Sequence, residues 1–141
     1  MALIRQIGAA FLLLILTLWV QCGGIAALVT WLRRAVAREI QMLGPLHASV
    51  LVVRLTMALI ALHGLQVLLW ACWYRWLCFP SWEFAIYFSA SSYATVGYGD
   101  VVLPSRWHML GPLESIIGVL MCGLSVSLLF AIVTRLVGRE R

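Results

Sequence analysis

Residues 81–100 read SWEFAIYFSASSYATVGYGD, and the fold turns on how this stretch sits between two longer apolar segments. Ser81 is a good helix N-cap, and Glu83 falls in the first turn, where a negative charge suits the helix dipole. Residues 82–94 are apolar, aromatic and helix-compatible, but 13 residues extend only about 20 Å, too short to cross a bilayer. A glycine-spaced segment follows. Non-helical backbone at membrane depth survives only where it is buried in protein or lines a water-filled cavity. The stretch therefore predicts a re-entrant loop that enters and leaves the membrane on one side.

Working outward, three runs carry no charge: residues 6–32 (27 residues), 55–74 (20) and 115–134 (20). About 20 apolar residues span the hydrocarbon core, so transmembrane helices are expected near residues 7–31, 47–73 and 113–137. Composition agrees: 64% of the 141 residues are hydrophobic and 11% charged, against roughly 45–50% and 25% in soluble domains. Mean hydropathy is +1.02. An all-α membrane protein is predicted, and soluble enzymes and nucleic-acid-binding modules are excluded. The first run exceeds the roughly 7–15 residues of a signal-peptide core, and Arg33 and Arg34 follow it as a stop-transfer flank.

Between the first two spans, Leu32, Val36, Ile40 and Leu43 repeat at helical spacing opposite Arg33, Arg34, Arg38 and Gln41. This predicts a separate basic amphipathic helix along the membrane surface, ended by Gly44-Pro45, with a solvated linker as the alternative. The chain so divides into an N-terminal part, residues 1–45, and a helix–loop–helix module, residues 46–141. All ten basic residues are arginine, and the net charge is +5. With a re-entrant loop, Arg33, Arg34, Arg38, Arg54, Arg135, Arg139 and Arg141 share one side, leaving Arg5, Arg75 and Arg106 on the other. The positive-inside rule makes the arginine-rich side cytoplasmic and puts the N-terminus outside. Trp70, Trp73, Trp76, Trp82 and Trp107 gather at the outer ends as an interfacial belt.

Thr95-Val96-Gly97-Tyr98-Gly99-Asp100 resembles the selectivity-filter signature of the potassium-channel family, and the resemblance extends over residues 46–137. It implies a pore helix at 82–94, a filter at 95–100 and four copies around a central pore. It implies too that the carbonyls of Thr95, Val96, Gly97 and Tyr98, with the Thr95 hydroxyl, bind potassium, no other cofactor being expected. The physical logic is independent of the resemblance. A cation shedding its water needs replacement oxygens, and carbonyls supply them without the grip of carboxylates. Gly97 and Gly99 permit the backbone conformations that such aiming needs. The resemblance further implies that the Val96 and Tyr98 side chains point away, against the pore helix. Asp100 lies at the outer mouth, either enriching cations or in a plainer role, as a solvated loop acid or a hydrogen-bond partner behind the filter. The chain departs from the family pattern at Tyr87-Phe88, where several members carry two tryptophans, at Ser91, where some carry an acid, and at Ala94.

Gly118 and Gly123 are similar to the hinge glycine of family inner helices; close helix packing is the alternative for each. Ser125, Ser127 and Thr134 either face a cavity or bond back to their own helix. His63 is either a proton sensor or an interhelical partner, and Glu114 is expected at the outer interface. The four cysteines form no CxxC and no metal spacing. No intramembrane acid pair, HExxH or nucleophile constellation points to an enzyme. A potassium-selective homotetrameric channel in the cell membrane leads, with a non-selective cation channel and a non-conducting accessory subunit as alternatives.

Overall fold

The computed structural model describes residues 2–39 and 45–137. Within them the chain is helical: α1 (Ala2–Glu39), α2 (Pro45–Leu77), α3 (Trp82–Tyr93) and α4 (Leu110–Val137), with a 3-10 turn at Ser105–Trp107. Three helical segments, Ile4–Arg34, Ala48–Leu77 and Ser105–Arg135, are long and apolar enough to cross a membrane. The short α3, 12 residues or about 18 Å, is not among them.

Helix bounds differ from expectation for reasons of proline chemistry. Pro45 opens α2 and Pro112 sits in the first turn of α4. A proline there forfeits only an N–H that would have no intrahelical partner, so α4 begins at Leu110 rather than near 113. At the other end of α2, the amides of Cys78 and Phe79 both donate to the Tyr74 carbonyl (2.8 and 2.9 Å). Pro80 then turns the chain. The separate amphipathic helix is corrected: α1 runs unbroken past Leu32, Arg33 and Arg34 to Glu39, since no glycine or proline interrupts that stretch. The side chains of Val36 and Arg38, and residues Ile40, Gln41, Leu43, Gly44, Arg139 and Arg141, lie outside the described part.

The starts of α1 and α4 and the end of α2 share one end of the bundle, where Arg5, Leu77, Arg106 and Trp107 line one pocket. The α3 hairpin folds back into the same end. An aromatic core fills it: Trp70, Tyr74, Phe88, Trp107 and Leu110 are all buried. Tyr74 meets Phe88 edge-on with ring centroids 5.1 Å apart, and Trp73 meets Trp107 at 6.4 Å. The opposite end holds a smaller aliphatic cluster of Leu55, Leu59 and Ile132, with Leu28 and Leu32 of α1 against it. The first span thus packs on its own chain, against both α2 and α4. All four cysteines are free.

Glu114, expected at the outer interface, stands near the start of α4. It is fully buried between α2, α3 and α4, accepting from the Tyr74 hydroxyl (2.8 Å) and the Ser89 hydroxyl (2.6 Å). Ser89 also lies 2.9 Å from the Val67 carbonyl. The carboxyl group therefore ties α3 to both long helices that flank it. Leaving such a group with an unmet partner costs about 1–3 kcal/mol. Tyr74→Phe should lower stability by that amount in thermal unfolding of detergent-solubilised protein, whereas Trp76→Phe, at a residue 82% exposed, should leave it unchanged.

Candidate functional site

The Ser81 side chain caps α3 by accepting from the Phe84 amide. At the other end of α3 the last carbonyls would be orphaned. The following segment satisfies them: Ala94 N donates to Ala90 O (3.0 Å) and Thr95 N to Ser92 O (2.9 Å). Val96 N and Gly97 N both donate to Ser91 O (2.8 and 3.2 Å). The Ser115 hydroxyl of α4 lies 2.7 Å from the same Ser92 carbonyl. Three consecutive amides after Ala94 are thus turned inward onto the helix end.

The carbonyls of this segment are left over. Among the described residues, no hydrogen bond ends on a backbone oxygen of Thr95, Val96, Gly97, Tyr98 or Gly99. These residues are exposed on the single chain. Their φ angles alternate in sign: Thr95 (61°), Gly97 (54°) and Gly99 (79°) are positive, whereas Val96 and Tyr98 are not. Alternating the sign of φ turns successive peptide planes relative to one another instead of continuing a helix or a regular strand. The glycines take this conformation without a Cβ penalty. Thr95 does not, and a β-branched residue at positive φ is a steric outlier of the kind found at functional sites. Its strain was not legible in residue types alone.

Side chains of the segment lean on α3. Tyr98 stacks on Tyr87, with centroids 6.4 Å apart and planes within 16°. The Tyr87 hydroxyl donates to Asp100 (2.7 Å), and Asp100 also accepts from the Val101 amide (3.0 Å). Asp100 is thereby bonded to the short helix. The Asp100 carboxylate holds the Tyr87 phenol above its ordinary range, so it stays a donor. Tyr87, one of the departures from the family pattern, makes this staple. Val96 and Tyr98 remain 50% and 72% exposed on one chain, surface that α3 alone does not cover.

The two glycines of α4 differ. A Cβ on Gly118 would collide with the Tyr93 carbonyl at the end of α3, whereas one on Gly123 meets nothing within 4 Å. Gly118 therefore allows close helix approach, and Gly123 has no packing role within the chain. Ser127 bonds back to the Gly123 carbonyl (2.9 Å) and Thr134 to Phe130 (2.9 Å). Ser125 is buried and instead accepts from Gln21 of α1 (2.9 Å). His63 is half-buried, its Nδ1 2.8 Å from the Tyr93 hydroxyl, which is the interhelical partnership expected of it. Gln21 and Gln66, fully buried, were not singled out by sequence, although an amide inside an uncharged span demands a partner.

A short helix stands between two helices long and apolar enough to span a membrane, and a segment with a run of unpaired carbonyls follows it. Residues 51–135 match a family model described as ion channel, and the chain belongs to that family as a multi-pass ion-channel subunit. No curated protein and no solved structure matches it.

Gly118→Ala should force Tyr93 backbone to yield and cost about 1–3 kcal/mol in thermal unfolding. Gly123→Ala should be neutral or gain up to about 1 kcal/mol from helix propensity. Equal losses at both positions would contradict the distinction.

Proposed function

We propose that the chain forms the pore of a potassium-selective channel, four copies surrounding an axis and each contributing residues 95–99 as one wall of the filter. The observation that carries this reading is the run of unpaired carbonyls on a backbone whose φ alternates in sign, with the amides of 95–97 committed to α3. A stack of carbonyl oxygens replaces the hydration shell of a monovalent cation, and neutral dipoles release it again. Thr95, Val96, Gly97 and Tyr98 supply the sites, with Asp100 and Tyr87 bracing the outer end. One chain makes one wall, so the exposed faces of Val96 and Tyr98 are covered by a neighbour. The C-terminal end of α3, partly negative by its dipole, points toward the cavity and favours a cation there. The arginine distribution puts the N-terminus outside and the C-terminus in the cytoplasm.

Purified protein in planar bilayers, with potassium on one side and sodium on the other, tests the reading. A reversal potential displaced strongly toward potassium equilibrium is expected. A reversal near zero would identify a non-selective cation pore, and intact tetramers without current an accessory subunit. Gly97→Ala places a Cβ at φ 54°, a conformation costing an ordinary residue about 1–2 kcal/mol, and should abolish selectivity or conduction while tetramers persist on native gels.

A further inference from the structure

A chain of hydrogen bonds crosses all four helices at the level where α3 ends. Gln21 of α1 donates from Nε2 to the Met121 carbonyl (3.2 Å) and to Ser125 Oγ (2.9 Å), both on α4. Gln66 of α2 donates from Nε2 to Gln21 Oε1 (2.6 Å). The Tyr93 hydroxyl at the end of α3 bonds to Gln66 Oε1, and His63 Nδ1 of α2 stands 2.8 Å from that hydroxyl. Gln21, Gln66, Tyr93 and Ser125 are all buried.

One atom sets the direction of the whole chain. The Met121 carbonyl can only accept, so the Gln21 amide nitrogen must face α4 and its oxygen must face Gln66. Gln66 then has to donate to Gln21, which leaves its own oxygen toward Tyr93. Tyr93 spends its single hydroxyl proton there, so its oxygen can only accept from His63. His63 must therefore carry a proton on Nδ1. No link can be reversed without setting two acceptors against each other, and three of the linked side chains, Gln21, Gln66 and Tyr93, are buried.

Interhelical hydrogen bonds in membranes are individually weak, so holding the bundle together is a weak reason for burying two glutamines. What an oriented relay provides is position. Tyr93 stands two residues before Thr95, and its carbonyl is the atom against which Gly118 packs. We propose that Gln21 is a positioning residue for the filter: through Gln66 and Tyr93 the first helix holds the end of the pore helix in register with the inner helix, His63 closing the relay as the Nδ1–H tautomer. This rests on residues 95–99 being the conduction path.

Single-channel recording of the full-length protein in symmetric potassium chloride tests it. Gln21→Leu and Tyr93→Phe should each shorten conducting bursts by about fivefold or more, the shift expected for about 1 kcal/mol, at unchanged unitary conductance. The double variant should be no worse than the more affected single one, because both cut the same chain. Gln6→Leu, which removes another buried α1 glutamine whose oxygen accepts from the Met109 amide (3.0 Å), is the control and should stay near wild type. Equal shortening by Gln6→Leu, or none by Gln21→Leu, would overturn the proposal in favour of general packing by α1. A second measurement needs no current: nitrogen-15 NMR of His63 in the wild type should show the Nδ1–H tautomer, with its signal moved by Gln21→Leu. An Nε2–H tautomer overturns the relay even in a conducting channel. Absence of potassium current in the wild type would instead defeat the conduction reading, leaving the NMR to decide the relay.

Discussion

The carbonyls of Ser91 and Ser92 accept the amides of Thr95, Val96 and Gly97, and the rest of the structure is arranged around that anchorage. Backbone N–H and C=O groups away from water must find partners. A helix end has spare carbonyls and a following strand-like segment has spare amides, so joining the two meets both needs at once. The joint leaves the five carbonyl oxygens of residues 95–99 without a partner among the described residues. The positive φ of Thr95, costly for a β-branched residue, follows from the tightness of the joint.

An anchorage of this kind is useful only if α3 itself does not move. Its middle is held by Glu114, which gathers Tyr74 and Ser89 around one buried carboxyl. Its end is held by Gly118, where α4 approaches the Tyr93 carbonyl without a side chain between them. Its outer face is held by the Tyr87–Asp100 bond. Aromatic packing of Phe88 against Tyr74 and Phe79 fills the space that remains. These constraints approach from different sides, which is how a short helix of 12 residues keeps one orientation.

The first helix docks on α2 and α4 beside this arrangement. Gln6, Thr17 and Gln21 lie along α1 and bond to the start of α4, to Trp70 of α2 and to the middle of α4 respectively. Gly24 adds a close approach to Leu62. An apolar helix in lipid gains little from touching another apolar helix, so polar groups and small residues decide where it docks.

Composition and the lengths of the uncharged runs were sufficient to establish three spans and a short helix between the last two, because bilayer thickness and helix rise are constants that a residue count can be measured against. Residues 95–100 likewise announced their backbone chemistry through Gly97 and Gly99. The continuity of α1 past Leu32 was missed because amphipathic spacing reads the same in a separate helix as in the tail of a longer one. The burial of Glu114, the packing role of Gly118, the strain at Thr95 and the Gln21–Gln66–Tyr93 relay were decided by tertiary structure alone. Their partners stand 45 residues apart for Gln21 and Gln66, and 100 apart for Gln21 and Met121. Periodicity along one helix says which residues share a face, but which face meets which neighbour depends on how all four helices pack.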